Sequence, residues 1–172
     1  MGETIPEEQL PLKVVGVSPC FRREVGSHGQ SDLGIWRVHQ FTKVEQIVIA
    51  KPEDSWELHE ELLQNCIDLW NELGLHYEVV NICTGDMGTV AARKYDIEAW
   101  LPGAAQYKEV VSCSNCTDYQ ANRLQIKYGQ PGHSNQPIVH TLNSTAVATS
   151  RALVAIMAVS YTHLTLPTNP EV

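Results

Sequence analysis

The stretch CFRREVGSHGQSDLGIWRVHQFTKVEQ, residues 20–46, holds three arginines, two glutamates and two histidines between apolar, β-prone flanks. No other part of the chain restricts the fold as much. A core strand cannot carry so much charge, because an unpaired buried ion is too costly. A solvated loop has no need of it. What remains is a pair of strands with one working face, joined by a loop. LKVVGVSPCFRRE (12–24) reads as the first strand, with Val14, Val15 and Val17 supplying β-branched mass. EVGSHGQSDLG (24–34), with three glycines, reads as the loop. IWRVHQFTKVEQIVIA (35–50) then alternates. Trp36, Val38, Gln40, Thr42 and Val44 fall on one face, and Arg37, His39, Phe41, Lys43 and Glu45 on the other.

KPEDSWELHEELLQNCIDLWNELGL (51–75) changes to helical period. Trp56, Leu58, Leu62, Leu63, Cys66, Ile67, Leu69, Trp70 and Leu73 make the apolar stripe. Asp54 or Ser55 is expected to cap its start, and Gly74 to end it. HYEVVNICTG (76–85) reads as a strand. Residues 85–103 read as a short helix, an extended piece and a Pro-Gly turn. KEVVSCSNCTDYQANRLQIKYGQ (108–130) reads as a strand, a small-residue bend and a further helix or strand, and QPGHSNQP (130–137) as a surface turn. VHTLNSTAVATSRALVAIM (139–157) starts extended and is expected to turn helical through Ala146, Ala148, Arg151, Ala152 and Leu153. Strands with hairpin-like connections and flanking helices predict an α+β fold with a mostly antiparallel β-sheet.

The formal net charge of -8 excludes a broad electrostatic attraction to nucleic acid, though not a local basic site. No apolar run reaches the roughly 18 residues of a membrane helix, so no membrane is expected as a partner. Five cysteines, an odd number, argue for reduced thiols and a cytoplasmic location.

FRRE, a glycine-containing loop and RVHQFTKVEQ together resemble motif 2 of the class II aminoacyl-tRNA synthetases, in the wording of the seryl-tRNA synthetases. KYDIEAWLPG, KEVVSCSNCTDYQ and HTLNSTAVATSR follow in that family's order, and the last resembles motif 3. The resemblance covers residues 6–157. It implies an antiparallel sheet flanked by helices, with ATP and the amino acid lying across it. It also implies the reaction: serine, ATP and Mg2+ give seryl-adenylate and pyrophosphate, and the seryl group passes to tRNA(Ser). A homodimer is implied for the full-length parent.

The roles implied by the resemblance fall on particular residues. Arg22 matches the arginine on the α-phosphate, where a planar fork suits phosphate oxygens. Glu24 matches the glutamate that reads adenine, Phe41 the aromatic that stacks on it, and Arg37 a cation for the outer phosphates. Arg151 matches the motif 3 arginine, covering adenine and the γ-phosphate. Glu109 and Ser112 match the pair that contacts ATP and its Mg2+, as hard oxygen donors. Glu45 matches the carboxylate that pairs with the serine ammonium, and Asn143 and Thr145 match positions near the serine side chain. Taken alone, Arg22 and Glu24 would read as a surface ion pair of little worth.

Other features read as bland. CSNC (113–116) lacks a second half-site, so no zinc is expected. Asp96 and Glu98 could be a magnesium pair or general acids, but a structural role is favoured. His39 and His140 read as hydrogen-bonded scaffold. Asn122 stands where relatives usually place arginine, which would remove a cation near ATP. Residues 1–157 are expected to be a partial catalytic domain running from motif 2 to motif 3. AVSYTHLTLPTNPEV (158–172) breaks the helical pattern and reads as non-native read-through. The tRNA-gripping arm, motif 1 and the rest of the serine pocket are expected upstream of Met1, and the isolated fragment is expected to be inactive. A paralogue that loads a small amino acid onto a carrier protein would tend to lose Glu45, Asn143 and Thr145. A non-catalytic module would tend to lose Arg22, Glu24, Phe41, Glu109 and Arg151. All eight are present.

Overall fold

The computed structural model describes residues 2, 4–23, 34–130, 132 and 135–160. In chain order these form β1 (Thr4–Ile5), β2 (Leu12–Phe21), β3 (Gln40–Ala50), α1 (Ser55–Glu72), β4 (Tyr77–Asn81) and β5 (Arg93–Leu101). They continue with β6 (Gln106–Asn115), α2 (Tyr119–Leu124), β7 (Lys127–Tyr128), β8 (His140–Ala148) and α3 (Thr149–Ser160). Six strands make one sheet in the order β2-β3-β8-β6-β5-β4, every neighbouring pair antiparallel. β1 and β7 form a separate parallel pair. The expected α+β fold is the observed one.

One face of the sheet is packed. Leu58, Leu62, Leu63, Cys66 and Trp70 of α1 share a single core with Val48, Ile97, Ala99, Val111 and Leu142 of the strands. Ala152 and Ala155 bring α3 into the same core. The stripe read from period 3.6 is therefore correct at its centre, while Trp56 and Leu73 at its ends are exposed. Asp54 occupies the N-cap of α1 without a side-chain cap. The Ser55 hydroxyl instead donates to the Pro52 carbonyl at 3.0 Å and accepts from His140 Nδ1 at 2.8 Å. Gly74 follows the helix with φ +64°, a conformation that favours glycine.

Several expected boundaries move. β2 ends at Phe21, and Glu24 with the 24–33 loop lies outside the described residues, as do residues 131, 133 and 134 of the 130–137 turn. The second strand starts at Gln40, not residue 35, because Gly34–Trp36 form a 3-10 turn and bury Trp36. Residues 85–92 make turns rather than a helix, with Gly88 at φ +73°. Ala146 and Ala148 belong to β8, and α3 begins only at Thr149. That helix runs through Ser160, three residues into the stretch expected to break it. Residues 161–172 lie outside the described residues. No helix among the described residues is long and apolar enough to cross a membrane.

A polar group sits inside the core. His59 is fully buried, stacks on Tyr95 with centroids 5.2 Å apart, and donates from Nε2 to the Cys113 carbonyl at 3.1 Å. Its Nδ1 has no partner. A proton there would be a buried charge without an acceptor, and burial pushes the imidazole pKa down. The unfolded chain, with its ordinary value of 6.5, takes up the proton first as pH falls. Stability present above that pH is then lost until the folded-state value is passed. His140, also lowered by burial, acts in the same direction. We expect the urea midpoint to fall between about pH 7 and pH 5, and to fall less in His59→Gln, whose amide can still donate to Cys113. An equal fall in the variant would exclude His59 as the source.

Candidate active site

The unpacked face of the sheet carries the charge. A cleft of about 310 Å³ opens there, lined by Arg22, Arg37, Phe41 and Lys43 from the hairpin, and by Glu109, Ser112, Thr145 and Arg151 from beyond it. Arg22 is positioned by the hairpin backbone: its N–H donates to the His39 carbonyl at 2.9 Å, and His39 Nδ1 donates to the Arg22 carbonyl at 3.3 Å. Its guanidinium lies 4.7 Å from the centroid of the Phe41 ring. Phe41, Lys43 and Glu45 share one face of β3 by the two-residue period, as the alternation predicted.

Two bulges complete the lining. Strict alternation would send Glu109 and Ser112, three residues apart, to opposite faces. Ile97 pairs with Val111 and Glu98 with Glu109, so Val110 has no partner and the strand turns over at that point. Glu109 and Ser112 thereby both reach the cleft. In β8, Val44 pairs with Val147 and Glu45 with Thr145, leaving Ala146 over. Thr145 and Ala148 then line the same cleft, and the chain enters α3 with Arg151 beside them. Arg151 Nη1 donates to the Glu109 carbonyl at 2.7 Å and lies 3.4 Å from the Glu109 carboxylate. Its guanidinium carbon is 5.3 Å from the Trp36 ring centroid.

A broader trough of about 550 Å³ continues along β3, lined by Gly16, Ser18, Lys43, Glu45, Gln120 and Asn143 among others. Glu45 accepts from Asn143 Nδ2 at 3.0 Å and from Thr145 Oγ1 at 3.2 Å, and pairs with Lys43 Nζ at 2.8 Å. The three residues expected around the serine ammonium and side chain are thus one hydrogen-bonded group. Gly16 lies opposite Glu45 on β2, and a side chain built there would meet nothing within 4 Å.

Asp96 sits across from Ser112 on β5, with Lys94 Nζ at 3.1 Å. Burial, and then the Glu109 carboxylate, push its pKa up against the pull of Lys94 and Ser112. Glu98 is raised chiefly by burial, then by Glu78, Asp96 and Glu109. Neither lines the cationic cleft. Asn122 lies on α2, bonded to Asp118 at 2.6 Å, and does not line that cleft either. The CSNC thiols diverge: Cys113 faces the His59 carbonyl at 3.8 Å, and Cys116 faces Asn143 at 3.7 Å. Burial pushes the Cys113 thiol up to about 12. Among the described residues no three His, Cys, Asp or Glu side chains converge on a metal position.

Trp36 and Lys43 are among the lining residues to which the sequence assigns no role. Trp36 was placed on the wrong side of a strand that starts later than expected. Lys43 was on the right face but unassigned, although its alternation with Phe41 and Glu45 pointed to the cleft.

An open cationic cleft on an antiparallel sheet, continuous with a carboxylate-and-amide trough, suits an anionic substrate beside an ammonium-bearing one. The chain belongs to the class II tRNA synthetases: the family's core domain (G, H, P, S and T) matches residues 1–160. Within that class it is similar to proteins named serine--tRNA ligases. The Serine--tRNA ligase of Methanocella arvoryzae is 61% identical over 157 residues, 91% of this chain and 37% of that protein. That of Archaeoglobus fulgidus is 58% identical over 158 residues, 91% of this chain and 35% of that protein. The crystal structure of seryl-tRNA synthetase from Pyrococcus horikoshii complexed with ATP superposes with a TM-score of 0.87 at 58% identity, over 91% of this chain and 35% of that one. The cytoplasmic Serine-tRNA ligase of Naegleria fowleri in complex with AMP gives 0.85 at 48% identity, over 91% of this chain and 38% of that one. The chain thus spans little more than a third of the proteins it matches.

Among the residues lining the cleft, four cations face one carboxylate. Removing one of these cations should be felt by any polyanion. A hydrogen bond to a charged group is worth about 1.5–3 kcal/mol. Arg151→Met should therefore weaken binding of inorganic tripolyphosphate to the chain by about tenfold or more, measured by titration calorimetry. Unchanged affinity would show that polyanions do not use this cation.

Proposed function

We propose that the chain is the motif 2 to motif 3 portion, residues 1–157, of a cytoplasmic, homodimeric serine–tRNA ligase. The complete protein activates L-serine with ATP and transfers it to tRNA(Ser). The observation that carries this reading is the junction of the cationic cleft with the Glu45–Asn143–Thr145 group. The names of the relatives, and the ATP and AMP in the superposed structures, support it.

In this reading Arg22 grips the α-phosphate, Phe41 stacks on adenine, and Arg37 and Arg151 hold the outer phosphates. Glu24 reads the adenine amine. Glu45 takes the serine ammonium, with Asn143 and Thr145 near the serine hydroxyl. A pocket that hydrogen-bonds a hydroxyl rejects the analogue lacking it by factors of about 10⁴, since its own polar groups are left unpaired. Glu109 and Ser112 fit a magnesium ion, because both hard oxygen donors line the one cleft beside the phosphate cations. When bound, that ion supplies neutralisation of phosphate charge. The protein's own contribution is to align a carboxylate oxygen with the α-phosphorus and to stabilise the charge that develops there.

The test is ATP–pyrophosphate exchange by the complete gene product, with serine, glycine and alanine offered separately. Exchange is expected with serine alone, and exchange with glycine or alanine but not serine would overturn the reading. Arg22→Ala should lower exchange by about 10³-fold or more with an unchanged circular dichroism spectrum. A near-normal rate would remove Arg22 from the α-phosphate.

A further inference from the structure

Lys43 stands where the two clefts meet. It lines the cationic cleft with Arg22 and Arg151, and it lines the trough with Glu45 and Asn143. Its ammonium is committed to Glu45 Oε2, which also accepts from Thr145. A carboxylate oxygen offers about two lone-pair sites, so Oε2 is full, while Oε1 holds only Asn143. The pair is largely withdrawn from water, with side-chain exposures of 29% for Lys43 and 16% for Glu45. A second ammonium arriving at Glu45 would therefore face both an occupied oxygen and a nearby like charge. Like charges a few ångströms apart and poorly solvated repel by several kcal/mol, about 4 kcal/mol at 4 Å near a protein surface. The arrival of a second cation therefore loosens the hold of Glu45 on the first.

The surroundings allow Lys43 to be the one that moves. Its neighbours across the sheet are small, Ser18 on β2 and Ala148 on β8. Its four-carbon stem is flexible, unlike the planar fork of arginine. The direction open to it is the adjacent cleft, which it already lines beside Arg22.

We propose that Lys43 is a catalytic residue that exchanges partners during amino-acid activation. This rests on the proposed function. In the free protein Lys43 holds Glu45 in place. When the substrate ammonium takes Glu45, Lys43 is released toward the two reacting anions, the serine carboxylate and the α-phosphate. A carboxylate oxygen then bonds to the α-phosphorus as the bond from that phosphorus to the bridging oxygen breaks, the electron pair leaving with pyrophosphate. No proton is transferred, and Lys43 contributes its charge, which lowers the repulsion between the two anions as they join.

The proposal separates kcat from KM. Lys43→Met removes the cation at nearly constant volume. In ATP–pyrophosphate exchange by the complete gene product, it should lower kcat by about 10²-fold while the serine KM stays level or falls, because Glu45 has lost its competitor. Lys43→Arg should restore at least about tenfold of that loss. Serinol, which keeps the ammonium and a hydroxyl but has no carboxylate, should inhibit Lys43→Met more strongly than the parent protein. A raised serine KM with kcat within about threefold of the parent would overturn the proposal, leaving Lys43 as a prop for Glu45. Equal losses in the Met and Arg variants would also overturn it. If the parent protein shows no serine-dependent exchange, the function on which the proposal rests fails, and the proposal fails with it. Normal exchange in both the parent and Lys43→Met overturns the Lys43 role alone.

Discussion

The one-sided burial of the six-stranded sheet governs everything else in this structure. α1 and α3 cover one face with a continuous apolar core. Charged residues on the central strands can then point only to the other face without a severe desolvation cost. That is why Phe41, Lys43 and Glu45 gather on the open side of β3 while Gln46, Val48 and Ala50 face the helices. Some of the buried polar groups on the helix side are tied down as well. Gln46 donates to the Leu62 carbonyl and to Cys66, and Cys66 contacts Ser144 at 3.3 Å. The packed face is a rigid backing, and a rigid backing lets side chains on the open face hold a fixed geometry.

A regular sheet on that backing would still not assemble the cleft. Residues on a strand alternate, and the cleft needs Glu109 with Ser112, and Thr145 with Ala148. The bulges at Val110 and Ala146 supply the half-turn in each case. They lie on β6 and β8, which are neighbours in the sheet. The second bulge also sets how the chain leaves β8 into α3, which is where Arg151 takes its place beside Glu109. An electrostatic contact at the rim of the cleft is in this way a consequence of backbone register two strands deep in the sheet.

Much of this was legible in the sequence, for physical reasons. The alternation from Phe41 to Glu45 and the period of α1 are hydrophobic patterns, and burial enforces such patterns directly. The boundaries were less legible where tertiary contacts override local preference. Trp36 alternates with Val38 as a strand residue would, yet it folds into a 3-10 turn whose ring faces Arg151 and Lys108. Ala146 and Ala148 suit a helix by propensity but stay in β8, Ala148 paired with Lys43 of β3 and Ala146 left over as the bulge between two paired neighbours. The bulges had no local signature, because register belongs to two strands together. The contacts around Glu45 needed β3 and β8 to be placed side by side. The residues were individually suspect in the sequence, but their joint hydrogen bonding was not visible there.

The charge balance of the chain and that of its cleft have opposite signs. The formal net charge is -8, which by itself repels a nucleotide. Around the cleft, four cations face a single carboxylate among the lining residues. The distant acidic groups act through water and salt, where the screening length is about 8–10 Å at physiological ionic strength. The cleft cations act at contact distance against a low-dielectric wall, where each interaction is several times stronger. The local sign therefore decides what binds in the cleft. A compact polyanion that fits within the cleft meets four cations and one carboxylate.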